Sequence, residues 1–218
     1  MNWLEHVDNY CERLGPGLLA EPINLFTNFA FLLAAVLVWP RTKQDAMARA
    51  LAIILFAIGL GSLAFHGFAQ RWAALADVLP IMTFILVYIY AATTRFLNQP
   101  LWVGVLIAVG FLPASGVLGY GISALFGPLN GSVGYMPVVV IILAYAAILR
   151  NSAPATARGL ALGAGVLAVS LTFRTLDEPL CEIAPFGVHF LWHILNAIML
   201  GWMILVLVRH PRLAPLAR

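Results

Sequence analysis

The run FGVHFLWHILNA sets His189 and His193 four residues apart in otherwise apolar sequence. On a helix that spacing stacks two imidazoles on one face, one turn apart. Two neutral imidazoles so placed make two corners of a metal site, a geometry used for zinc. Two core histidines bonded to neighbours satisfy the same spacing, and in a water-soluble protein that reading is the better one. The surroundings reverse it here, because ionisable groups in a lipid-soluble chain are costly and usually mark a site. The stretch GSLAFHGF adds His66, with Ser62 one turn before it, and LADVLP adds Asp77. Three imidazoles leave a tetrahedral zinc one open position, as in catalytic rather than structural sites. Such an ion brings the pKa of its water to about 7. Asp77 could take the proton and return it to a leaving amine, and Ser62 could donate to an oxyanion. Each has a plainer alternative: Asp77 as a helix N-cap and Ser62 as a hydroxyl bonded to the preceding turn. Their convergence with three histidines favours chemistry.

The elements that must position these residues follow from hydropathy. The chain is 62% hydrophobic and only 10% charged, with a mean hydropathy of +0.95, against roughly 25% charged residues in a soluble domain. It reads as an all-α polytopic membrane protein. Seven apolar runs fall at 22–39, 48–66, 77–94, 100–120, 133–149, 158–173 and 186–208, each near the ~20 residues that cross ~30 Å of hydrocarbon. The sixth is the shortest. Residues 1–20 form an extramembrane segment with a Gly-Pro-Gly turn near its end that stops a helix there. Glu5, Asp8, Glu12 and Arg13 in that segment argue against a cleavable signal peptide. No repeat is present, so 1–218 reads as one seven-span domain.

With seven spans, Arg41, Lys43, Arg49, Arg95, Arg150, Arg158, Arg209, Arg212 and Arg218 share one side, and only Arg13, Arg71 and Arg174 the other. The positive-inside rule then expects the N-terminus outside and the C-terminus in the cytoplasm. Eight of the nine acidic residues lie outside, all but Asp45. In this arrangement His66, Asp77, Ser62, His189 and His193 occupy one depth near the outer surface, from three helices. His6 and His210 read as solvated. The basic residues follow topology and form no patch of the nucleic-acid kind.

Other polar residues gather at the outer side. Glu21, Asn24 and Asn28 share a helix face, and the two asparagines alone could be interhelical hydrogen-bond glue. Asp8, Glu12 and Glu21 crowd three carboxylates that calcium would relieve, unless they form a solvated acidic surface. Arg174 and Asp177 are placed for an ion pair. Cys11 and Cys181, both outside, are either a disulfide or two unpaired thiols.

Taken together, AEPINLFTN, GSLAFH, LADVLP and HFLWHILNA, with Cys11 and Glu12 upstream, resemble the alkaline ceramidases and their bacterial relatives. These belong to a superfamily of seven-helix membrane hydrolases that includes the adiponectin and progestin receptors. The resemblance covers almost the whole chain. It implies an intramembrane zinc held by His66, His189 and His193, proton handling by Asp77 and assistance by Ser62. The activity it implies is cleavage of the N-acyl amide of ceramide or a ceramide-like lipid to a sphingoid base and a fatty acid. It implies a Cys11–Cys181 disulfide, and a calcium ion on Glu12 and Glu21 with Asp8, Asn9 and the Tyr10 carbonyl, although the segment between the two glutamates is two residues shorter than the family's. The expected partners are a lipid substrate and the bilayer, with no obligate protein partner and no nucleic acid, in a bacterial inner membrane with the zinc toward the periplasm. The alternatives are a lipid-binding receptor without turnover, an ester hydrolase remodelling glycerolipids and, ranked lower, an ion transporter.

Overall fold

The computed structural model describes residues 2–7 and 9–211. Apart from an isolated bridge between His6 and Gln70, its regular structure is helical, and seven stretches are long and apolar enough to cross a bilayer. The first, Pro22–Thr42, comprises α1 (Pro22–Thr27), α2 (Phe29–Val38) and a closing 3-10 turn. Then come α3 (Ala46–Phe68), α4 (Arg71–Phe96), α5 (Leu101–Phe126), α6 (Met136–Leu149, entered through a 3-10 turn), α7 (Pro154–Leu176) and α8 (His189–Arg209).

The count of seven agrees with hydropathy, but several boundaries move. The run RWAALA that opens α4 is rich in good helix formers, so the helix starts at Arg71 with Gln70 at its N-cap position. Asp77 therefore lies inside the helix, and its reading as an N-cap is wrong. The sixth span, the shortest by hydropathy, is a full 23 residues. The last begins at His189 because Gly187, at φ +66°, breaks the chain just before it.

Helix starts carry recognisable signals. Proline occupies the first turn of α1, α6 and α7, where its missing N–H costs nothing. Asp45 accepts from Ala48 N at 3.0 Å, capping α3, and receives both terminal nitrogens of Arg95 from the end of α4. One carboxylate thus starts one helix and ties it to the end of the next.

The two histidine-bearing helices, α3 and α8, are the most buried spans, and α5 is the most peripheral. Leu51, Leu55, Ile58, Leu160, Ile204 and Leu207 are sealed in the core. The outward faces carry exposed Leu33, Leu37, Leu106, Val117, Ile148 and Leu162. In water each such side chain would forgo roughly 1.5–3 kcal/mol of burial, a loss that lipid removes.

The N-terminal segment is docked on the end of the bundle where α3 meets α4. Val7 N donates to Ala69 O at 2.8 Å, Arg71 N to Glu5 O and Trp72 N to Trp3 O. A Cys11–Cys181 disulfide joins it to the α7–α8 connection. At the opposite end His210, read as solvated, instead packs on Phe96, with Nδ1 2.8 Å from the Thr156 hydroxyl. An apolar ring near a helix end finds a groove even in a tail. Asp8, Arg212 and Arg218 lie outside the described residues.

Candidate metal centre

The end of α3 and the start of α8 meet at the N-terminal end of the bundle, bringing His66, His189 and His193 together. Each is 1% exposed. Their rings lie 5.4 Å (66 to 189), 4.6 Å (66 to 193) and 4.7 Å (189 to 193) apart between centroids. One ligand nitrogen from each falls within 4.8 Å of the others, and this is the one such group of metal-binding side chains among the described residues.

Each ring is held by a different partner. His66 Nδ1 donates to Glu21 Oε2 at 2.6 Å, which leaves Nε2 bare. His193 Nδ1 lies 2.9 Å from Thr27 Oγ1, whose own proton goes back to Ile23 O at 2.8 Å. The hydroxyl therefore accepts from the imidazole, fixing the tautomer with Nε2 unprotonated. The Tyr10 ring stacks on His189, centroids 3.8 Å apart and 25° from parallel. His193 Nε2 and His189 Nδ1 are buried without a hydrogen-bond partner. A buried polar atom left so costs about 1–3 kcal/mol, and a metal ion is the partner these atoms suit. Carboxylate or hydroxyl support behind ligating histidines is also how metal sites are oriented.

Asp77 and Ser62 reach the same place through a close helix crossing. A Cβ on Gly61 would overlap the backbone of Ala76, so the glycine lets α4 press on α3 and sets Ser62 beside the Asp77 carboxyl. Asp77 Oδ1 is buried and unpartnered. Both residues line an apolar cavity that continues between Ile81, Phe84, Tyr88 and Ile89 of α4 and Trp192, Asn196, Met199 and Met203 of α8. From Asp77 to Ile89 it follows α4 for roughly 18 Å at 1.5 Å per residue. Asn196, one turn beyond His193, is the amide side chain in this wall.

The expected ion pair of Arg174 with Asp177 does not form. Asp177 Oδ1 accepts from Val188 N at 2.7 Å and His189 N at 2.8 Å, and Oδ2 from Cys11 N at 3.1 Å. It caps α8 and pins the disulfide loop. Arg174 lies over the rings of Tyr10, Tyr135 and Trp192, 5.3–5.8 Å from their centroids, and donates to Tyr10 OH at 3.2 Å.

The carboxylates assigned to calcium have other partners. Glu12 accepts from Ile23 N at 2.6 Å and Asn24 N at 2.8 Å, capping α1. Burial pushes its carboxyl above the ordinary carboxylate range, against the pull of those two N–H groups. Glu21 accepts from Arg13 Nε as well as from His66. The Tyr10 carbonyl accepts from Arg13 N at 3.2 Å, Asn9 is exposed, and Asp8 lies outside the described residues. Among the described residues, the donors assigned to calcium do not make a calcium site. Thr27, Arg13, Asn196 and the stacking role of Tyr10 escaped the sequence reading.

The family model described as Ceramidase matches residues 7–213. No curated protein matches the chain.

Proposed function

We propose, from the premise that this chain belongs to the ceramidase family, that it is a zinc-dependent amidohydrolase of the bilayer. It would cleave the N-acyl amide of ceramide or a ceramide-like lipid. The observations that carry this reading are the buried three-histidine cluster and, on helices α3 and α4, Ser62 and Asp77 in the wall of a long apolar cavity. His66, His189 and His193 would hold the ion, which when bound polarises a carbonyl and activates water. The cavity's roughly 18 Å exceeds one leaflet's share of the ~30 Å hydrocarbon core, so a long acyl chain fits without leaving apolar surroundings.

Asp77 accepts the proton of the attacking water as the new C–O bond forms, and passes it to the amide nitrogen as the C–N bond breaks. The products are a fatty acid and a free amine. Ser62, beside that carboxyl, keeps its proton and hydrogen-bonds the ionised Asp77 carboxylate or the developing oxyanion. An amide needs this arrangement more than an ester does, since an amine leaves only once protonated. Asn196, in the wall of the same cavity, would offer its amide to the substrate's polar linkage.

The disulfide supports placing the metal end of the bundle on an oxidising side, and the basic loops at the opposite end support a cytoplasmic C-terminus. In a bacterium this would be the inner membrane with the site toward the periplasm. The test is fatty-acid release from N-acyl sphingoid lipids by purified protein. Activity should vanish with a strong zinc chelator and in His66→Ala and His193→Ala. Stoichiometric zinc in the double variant would remove the ligand assignment.

A further inference from the structure

The Arg13 side chain is 3% exposed, and its guanidinium makes four hydrogen bonds, with all three nitrogens engaged. Nε donates to Glu21 Oε1, NH1 to Gly15 O at 2.9 Å and Gly17 O at 3.5 Å, and NH2 to His66 O at 2.8 Å. Glu21, itself 2% exposed, turns its other oxygen to His66 Nδ1 at 2.6 Å. The Gly-Pro-Gly turn, which in sequence only ended a segment, here supplies two of the carbonyls that cradle the cation. The fourth bond falls on a carbonyl in the last turn of α3, one of those a helix leaves unsatisfied.

We infer that Arg13 is the resident cation at Glu21 and a positioning residue for the metal ligand His66, making calcium dispensable to this chain. The planar fork explains why the residue is an arginine. It reaches a carboxylate, two turn carbonyls and a helix end at once, which a lysine ammonium or a hydrated ion cannot do in one plane. The carboxylate it fixes can present only one face to His66, so the ring stays aimed at the other two imidazoles. Support of this kind is worth 10- to 100-fold in metal affinity at comparable sites. The inference rests on the zinc reading above.

The test compares wild type, Arg13→Lys and Arg13→Met by zinc competition with a chromophoric chelator, by melting of the zinc-free proteins, and by melting of wild type with and without millimolar calcium. Zinc affinity should fall about 10- to 100-fold in Arg13→Met, with Arg13→Lys between, and calcium should leave the wild-type melting point unmoved. A merely structural arginine would lower melting of the zinc-free protein while leaving zinc affinity intact, and that result overturns the inference. So does a calcium-dependent rise in wild-type melting, an arm that needs no variant to fold. Wild type that binds no zinc would defeat the zinc reading itself, a distinguishable outcome.

Discussion

At the ring of His193, one hydroxyl decides which nitrogen faces the other imidazoles. Thr27 spends its proton on Ile23 O and accepts from Nδ1, so Thr27→Val should weaken zinc about 10-fold while the fold, measured by circular dichroism, is kept. Unchanged affinity would mean the tautomer is set elsewhere. Asp77 is a sharper case. Asp77→Asn keeps the shape but cannot take a proton, so zinc content should stay stoichiometric and turnover should drop about 10²- to 10⁴-fold. Undiminished turnover would assign the proton to another group. The three histidines, Asp77 and Ser62 were readable in the sequence because residue type and spacing announce them in an apolar chain. Thr27, Arg13 and Tyr10 were not, since a threonine, an arginine and a tyrosine in those positions have common plainer uses. Their roles exist only once α1 and the N-terminal segment fold across the ends of α3 and α8.

Among the elements, two glycines set distances that no side chain could. Gly61 admits the backbone of α4 against α3. Gly61→Ala should push the helices apart and separate Ser62 from Asp77, lowering kcat with zinc retained. Loss of zinc together with kcat would show that the crossing supports the histidines too. Gly187 takes φ +66°, and a Cβ there would strike the Asp177 carboxylate that caps α8. Gly187→Ala should therefore cost about 1–3 kcal/mol, read as a lower melting point. The spans themselves were legible because lipid demands about 20 apolar residues. Their ends were less so: hydropathy marks where charge begins, whereas RWAALA continues a helix through a charged residue. Asp177 was misassigned to Arg174 for a related reason. Proximity in sequence suggested an ion pair, but three unsatisfied backbone N–H groups at the start of α8 and at Cys11 claim the carboxylate, and three aromatic rings claim the guanidinium.

For the molecule as a whole, the asymmetry of charge becomes clearer when the exceptions are examined. Arg13, Arg71 and Arg174, the basic residues of the metal end, pair with Glu21, Glu5 and the Tyr10–Tyr135–Trp192 rings respectively. Each of these positive charges is thus held by a partner. The Cys11–Cys181 bridge belongs to the same end, tying the segment that carries Arg13 and Glu12 to the loop before the helix that carries two of the clustered histidines. Hydrolysis of a lipid amide at this end by metal chemistry is open to direct measurement. The most direct measurement is fatty-acid release by detergent-purified protein from N-acyl sphingoid amides set beside matched glycerolipid esters, with chelator and His193→Ala controls. Chelator-sensitive release from the amides alone is the expected result. Release from esters alone, or from neither lipid by protein that holds stoichiometric zinc, would contradict it.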